Sequence, residues 1–449
     1  MTESSARTAG QLDLADLHGS VDDLVLTSMT LLNDVAERYP KAVSFAAGRP
    51  YEEFYQVDDL NRYLNVFRNY LERELNLPPE RVRRVFFQYG RTKGFIHRLI
   101  AEQLSIDDGL VVDPESIIVT TGCQEAMVIL LRALFRDSRD VILAPSPTYV
   151  GFLGAARVVG MPVHPVRESE HGIDLADLER QVIAVKDSGR RPRACYVVPD
   201  FANPSGACMS PADRLALIEL ARREDFLLIE DNPYSIFHPD YARPPTLKSL
   251  DEHCQVIFLG SFAKTAFAGA RVGYIIADQL VASADGSHKL LADHLAKLKS
   301  MVTLNTSTVA QAVIGGYLIE NKCSLQRAIE READVYRRNL AVMLNRLEAT
   351  FGGAPGMKST VSWNTPAGGM FIVVSFPFVA DDAMLEYSAS RFGVLWTPMH
   401  HFYAGASGFR QARLSFSALT PHQIALGVER LGALVDDQLG KRLSDTLEF

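Results

Sequence analysis

The run VIFLGSFAKTAFAGARVGYII sets a serine, a lysine and an arginine, Ser261, Lys264 and Arg271, between two apolar stretches. A lysine at a strand end, rather than on a helix surface, is placed to reach into a cleft. Burial beside another cation lowers its pKa, which is what an amine needs to add to a carbonyl near neutral pH. Taken alone, any one lysine is a solvated surface charge. Here the neighbours argue otherwise, because Ser261 and Arg271 flank it with a hydroxyl and a guanidinium. That pair suits a phosphate monoester while the lysine holds an aldehyde.

A second segment, IIVTTGCQEA, reads as a strand, a glycine turn and the start of a helix at Gly122, Cys123 and Gln124. The free N–H groups and dipole of a helix N-terminus favour a phosphate. Many α/β proteins turn this way, so the segment gains weight only beside the lysine motif. It matches neither G-x-G-x-x-G nor the Walker pattern, which removes the main support for a dinucleotide or a nucleoside triphosphate. Two further apolar runs end in polar residues, VVPDFANPSG at Asn203 and LLIEDNPYSIF at Asp231 and Tyr234. Open α/β sheets bind ligands at such strand ends. Asn203 before a proline also suits a plain turn, and Asp231 a helix cap. An acid at this place could also hold a proton on a heteroaromatic nitrogen and make that ring an electron sink.

These residues need a sheet to carry them. From about Glu115 to Ile276, short β-branched runs (SIIVTT, DVILA, ACYVVPD, FLLIED, VIFLG) alternate with helical stretches. That is the pattern of a parallel sheet flanked by helices, an α/β core. Ser210, Pro211 and Asp213 supply an N-cap, a first-turn proline and a capping acid ahead of LALIELA, which predicts a helix start there. After Lys322 come a long charged helix, the strands MFIVVSF and RLSFSAL, and a final helix from Pro421, a smaller α+β domain. The sequence predicts an N-terminal arm over 1–40 whose first twenty or so residues are mobile, with Ser20 to Tyr39 turning amphipathic. It predicts the first part of a discontinuous small domain over 41–90, the large domain over 91–322, and the rest of the small domain over 323–449.

The 449 residues are 47% apolar and 22% charged, ample for two domain cores. A net charge of −8 lacks the basic excess that nucleic-acid binding needs, so small molecules are the expected partners. Five cysteines without metal-ligand spacing fit a reducing compartment, and no metal is expected. The polar N-terminus lacks the basic end and apolar run of a signal peptide, and no stretch has the apolar length of a membrane span. A cytoplasmic location is the expectation.

Taken in order, the motifs resemble the class I/II aminotransferases that use pyridoxal 5′-phosphate on the aspartate-aminotransferase fold (fold type I). The likeness is strongest to the 2-aminoadipate and kynurenine aminotransferase branch. It spans about Ser44 to Val435 and rests on a phosphate turn, a tyrosine in PSPTYVG, N-P-x-G, D-x-P-Y, S-x-x-K with an arginine seven residues later, and an arginine in the last strand. LNDVAERYPKAVSFAAGRPYEEFY further resembles actinobacterial dihydroxyphenylglycine-type aminotransferases of antibiotic pathways.

The resemblance implies that Lys264 forms the Schiff base and shuttles the proton, with Asp231 on the ring nitrogen. Asn203 and Tyr234 then bond the phenolic oxygen and Tyr149 stacks on the ring. Ser261, Arg271, Gly122, Cys123 and Gln124 hold the phosphate, with Tyr89 reaching it from a second subunit of a homodimer. Arg413 takes the substrate carboxylate, a bidentate task that lysine cannot reproduce. Gly48, Arg49, Asn203, His400 and His401 complete the implied substrate contacts. Cys123 stands where many relatives have serine, Arg49 where an apolar residue is common, and the histidines where relatives carry a glycine-containing loop.

The implied reaction is ping-pong transfer of an amino group between an amino acid and a 2-oxo acid. Oxidative deamination or decarboxylation on the same scaffold remains an alternative, since the cofactor grip is common to these chemistries. A regulator with an aminotransferase-like sensor would carry a DNA-binding domain ahead of the core. The first forty residues are neither basic nor helix-turn-helix in pattern.

Overall fold

The computed structural model describes residues 12–238, 243–353 and 360–447. The tip of the expected arm, residues 1–11, lies outside the described residues; Leu24–Arg38 forms a helix, matching the amphipathic segment. Strand β1 (Val43–Ser44) follows it. The large sheet comprises β2 (Ile117–Thr120), β3 (Asp140–Ser146), β4 (Val163–Ser169), β5 (Gly172–Ile173), β6 (Arg191–Val197), β7 (Leu227–Asp231), β8 (Val256–Ser261) and β9 (Gly273–Ile276). Their order is β2-β9-β8-β7-β6-β3-β4-β5. From β8 to β4 the neighbours run parallel, whereas β9 is antiparallel to both β8 and β2.

Parallel strands covered by helices on both faces must be apolar on both faces, and this explains the unbroken runs in the sequence. On β7, Leu228 packs into one buried cluster and Ile229 into another on the opposite face. The sheet brings the carboxyl ends of β3, β6, β7 and β8 to one edge, joined by the start of β9. The helix Pro211–Arg223 starts as the sequence predicts, with the Ser210 side chain accepting a hydrogen bond from the Asp213 N–H.

After a short hairpin of β10 (Leu280–Ala282) and β11 (His288–Leu290), the smaller sheet holds β12 (Ser362–Trp363), β13 (Phe371–Ser375), β15 (Thr397–Pro398) and β16 (Gln411–Ser415) in the order β12-β13-β16-β15, all antiparallel. Helices Glu330–Phe351 and Pro421–Leu447 cover it through Leu340, Met343, Leu347, Val428 and Leu431. The predicted long charged helix is broken at Ile329 into Leu325–Ala328 and Glu330–Phe351. Strand β1 pairs in parallel with β14 (Val394–Leu395), which ties residues 43–44 to this half.

Residues 57–87 depart from the expected division. Instead of joining the smaller sheet, the helix Val57–Asn69 lies on Thr308–Glu320 and shares the large domain's core through Tyr63 and Phe67. The reason is a close approach that sequence periodicity cannot show. A Cβ on Gly316 would sit 1.9 Å from the Tyr63 carbonyl oxygen, so only glycine lets the two backbones meet.

Candidate active site

Between the edge of the large sheet, segment 44–50 and the smaller sheet lies a chamber of about 910 Å³. Its walls include Tyr149, Asn203, Asp231, Tyr234, Lys264 and Arg413. Lys264 follows the end of β8, and its Nζ donates a 2.6 Å hydrogen bond to the Gly48 carbonyl. Burial, then the nearby Arg413 and Arg271, push its pKa down to about 8. At neutral pH a useful fraction of the amine is therefore unprotonated.

Asp231 ends β7, two residues beyond Ile229, the β-ladder partner of Tyr196 on β6. Tyr196 therefore shares its face and donates a 2.7 Å hydrogen bond to Asp231 Oδ2. Burial lifts the acid to about 6 despite that bond, leaving it ionised at pH 7. Tyr196 is fixed in turn by the Phe152 ring, stacked 3.8 Å away. Neither residue is among the sequence candidates. The available signal was the alternation in ACYVV, which puts Tyr196 on the face that leads to Asp231.

At the other end of the chamber, helix Gly122–Leu134 begins under the Arg271 guanidinium. Gly122 has φ +72°, and a Cβ there would come within 2.5 Å of Arg271 Nη2. A Cβ on Gly273 would lie 2.9 Å from the Cys123 nitrogen. Helix N-terminus, guanidinium and Ser261 thus form a cradle that side chains would fill, a fit for a phosphate group. The side chains of Cys123 and Gln124 are engaged elsewhere. The thiol donates to the Gly260 carbonyl at 3.1 Å, and Gln124 Nε2 donates to the Gly151 carbonyl at 2.8 Å. Their backbone remains at the cradle.

Arg413, on β16, is only 7% exposed yet has no acidic partner among the described residues. It donates to Asn203 Oδ1 at 2.8 Å and to the Ala46 carbonyl at 2.7 Å, while its Nε is buried without a partner. Phe371 and Phe402 lie against the guanidinium, 4.4 and 5.0 Å from it. Burial lowers its pKa to about 10, which still leaves it charged at neutral pH. A buried cation in this state is a ready site for a carboxylate.

Tyr149 borders the chamber, with burial, then Asp231, raising its hydroxyl to about 12. Gly48 and Arg49 line the chamber, and the Arg49 side chain has no partner among the described residues. His401 also lines the chamber, but His400 does not. The structure therefore brings only one of the histidine pair to the chamber, although the two rings pack 4.0 Å apart and face the same Asp382 oxygen. Tyr89 is 82% exposed and stands outside this chain's chamber. The sequence reading also missed Val25, Leu26, Leu32, Asn33 and Ala36, with which the N-terminal helix closes one side.

The family model for aminotransferase class I and II matches residues 66–431. The chain belongs to that family. Over 429 residues, 96% of each chain, it is 49% identical to (S)-3,5-dihydroxyphenylglycine transaminase of Amycolatopsis orientalis. A multiple-substrate aminotransferase from Thermococcus profundus superposes with a TM-score of 0.79 at 25% identity, covering 95% of this chain and 99% of that one. The α-aminoadipate aminotransferase of Thermus thermophilus, solved with N-(5′-phosphopyridoxyl)-L-leucine, superposes with a TM-score of 0.77 at 25% identity, covering 96% and 100%. This aminotransferase thus shares the fold-type I architecture, and its family depends on pyridoxal phosphate. Among the described residues, no helix is long and apolar enough to cross a membrane.

Proposed function

We propose that this aminotransferase binds pyridoxal 5′-phosphate through Lys264 and moves an amino group between an amino acid and a 2-oxo acid with an aromatic side chain. The reaction is ping-pong, and the enzyme is a cytoplasmic homodimer of specialised metabolism, such as antibiotic assembly. One observation carries the reading. A half-buried amine of lowered pKa, a buried carboxylate and a buried guanidinium without an acidic partner among the described residues converge on one chamber.

When bound, the cofactor supplies an aldehyde that captures the amino group and a ring that accepts the electron pair left at the substrate Cα. Asp231, ionised and oriented by Tyr196, would hold the proton on the ring nitrogen. Asn203 and Tyr234 would bond the phenolic oxygen, and Tyr149 would stack on the ring. The backbone at Gly122, Cys123 and Gln124 would hold the phosphate with Ser261 and Arg271, and the partner subunit's Tyr89 would add a hydroxyl. Lys264 Nζ takes the proton from the substrate Cα and later returns one.

Arg413 fixes the carboxylate that donor and acceptor share, so one site serves both halves of the reaction. The apolar wall of Val25, Leu26, Val150, Val158 and Phe402 supports an aromatic side chain, as does the 49% identity to a dihydroxyphenylglycine transaminase. Arg49 and His401 are among the polar residues that line the same chamber, with Asn33 and Glu52. Five unpaired cysteines suit the reducing cytoplasm.

Replacing Arg413 with lysine tests the assignment. The planar fork is lost while the charge remains, so amino acids and 2-oxo acids should weaken together, each by about 2–3 kcal/mol in kcat/KM. Steady-state kinetics with both substrates, and Ki values for simple carboxylates, give the readout. If only one substrate of the pair weakened, Arg413 would serve side-chain recognition instead.

A further inference from the structure

One cluster at the chamber's edge takes no part in the proton transfers described above. Asp382 opens the short helix Asp382–Tyr387, and His400 and His401 lie in the turn Met399–Phe402 that follows β15. One donor atom from each of the three lies within 4.8 Å of the donors of the other two. His401 Nε2 is 2.7 Å from Asp382 Oδ1, a hydrogen bond. His400 Nε2 approaches the same oxygen only to 3.7 Å, too far for a second one. The other nitrogen of His400, Nδ1, is buried and has no hydrogen-bond partner among the described residues. Its ring packs instead between Phe409, 5.0 Å away and nearly parallel, and the His401 ring 4.0 Å away.

One carboxylate oxygen therefore faces two imidazoles and satisfies one of them. His400 thus adds a second imidazole that makes no hydrogen bond to this carboxylate, which a purely structural pair would not need. A cation held by Asp382 Oδ1 and the two Nε2 atoms would engage both imidazoles at once. We propose that Asp382, His400 and His401 form a binding site for a first-row divalent transition metal, with Zn²⁺ as the fitting case.

The distances allow it. Zinc bonds of about 2.0–2.2 Å in tetrahedral geometry place the donors roughly 3.3–3.6 Å apart. The 2.7 Å pair must open and the 3.7 Å pair close, each by less than an ångström. Two imidazoles and one carboxylate select zinc, nickel or copper over magnesium and calcium, which prefer all-oxygen sites. The Asp382 side chain is 41% exposed, which gives an ion a path in. Three protein ligands leave the fourth position to water. His401 borders the chamber, and its neighbour Phe402 lies against the Arg413 guanidinium, so a bound metal would fix the turn that forms this wall.

The test is titration of the holoenzyme with zinc against a chromophoric chelator near pH 7.5. We expect one Zn²⁺ per chain at micromolar affinity, undisturbed by millimolar magnesium. His400→Gln and Asp382→Asn should each weaken binding about tenfold or more. His400→Gln removes no side-chain hydrogen bond among the described residues, and an unchanged circular dichroism spectrum and melting temperature would confirm that the variant is folded. Cys208→Ser and Cys254→Ser should leave the affinity unchanged; they control for the Asp200, Cys208 and His238 group and for the exposed Cys254. The proposal is overturned if zinc does not bind stoichiometrically, or if both variants at the cluster keep wild-type affinity. None of these readouts depends on which amino acid the enzyme uses.

Discussion

Lys264 shows how position alone changes an amine. Desolvation, then Arg413 and Arg271, take its pKa from 10.5 to about 8. A lowered lysine pKa favours the neutral form, so at pH 7 this residue carries about 300 times more free amine than an ordinary lysine. Capture of pyridoxal phosphate by the cofactor-free protein should accelerate about tenfold per pH unit below 8 and level off above it. Stopped-flow absorbance across pH 6–10 measures this. A rate still climbing steeply at pH 10 would mean that the amine is not tuned. The lysine was legible in the sequence because Ser261 and Arg271 flank it at motif spacing. Tyr196 was not, since its role follows from sharing a strand face with Asp231 on a neighbouring strand, a relation that one sequence does not display.

At the level of elements, the strand-turn-helix unit around Gly122 makes the cradle. A methyl group there would force an unfavourable backbone at φ +72° and press on Arg271 Nη2. Gly122→Ala should destabilise the fold by about 1–2 kcal/mol and weaken pyridoxal phosphate far more than pyridoxal, which lacks the phosphate. Equilibrium dialysis of both compounds separates the effects. Equal loss for both would place the defect outside the cradle. The parallel strands and the capped helix at Ser210 were legible because their signals are local. The position of Val57–Asn69 was not, because it depends on two backbones meeting at Gly316, 253 residues from Tyr63 in sequence. The chamber wall formed by Leu24–Arg38 was hidden likewise, since amphipathicity says that a helix packs without saying on what.

At the scale of the whole molecule, Phe87, Tyr89, Met301 and Val302 are exposed, and Thr308 Oγ1 donates a hydrogen bond to the Phe86 carbonyl. Exposed apolar side chains of this size suit contact with a second copy of the chain. If the proposed dimer lends Tyr89 across the interface, a chain carrying Lys264→Ala and a chain carrying Tyr89→Ala should complement each other. Half of randomly mixed dimers hold both chains, and one of their two sites is then intact, so activity should reach about a quarter of wild type. Activity no higher than the mean of the two parents would place Tyr89 outside the neighbouring site. The order of motifs along the chain made the family legible, while the arrangement of subunits and the substrate were not, because neither is written in local spacing. Transfer of the amino group itself is the central claim, and nitrogen labelling tests it most directly. The loaded enzyme, without dioxygen, is given a labelled amino acid and an aromatic 2-oxo acid, and the products are read by mass spectrometry. We expect the label in a new aromatic amino acid, with an equal amount of 2-oxo acid from the donor; labelled ammonia, release of carbon dioxide, or a requirement for oxygen would contradict it.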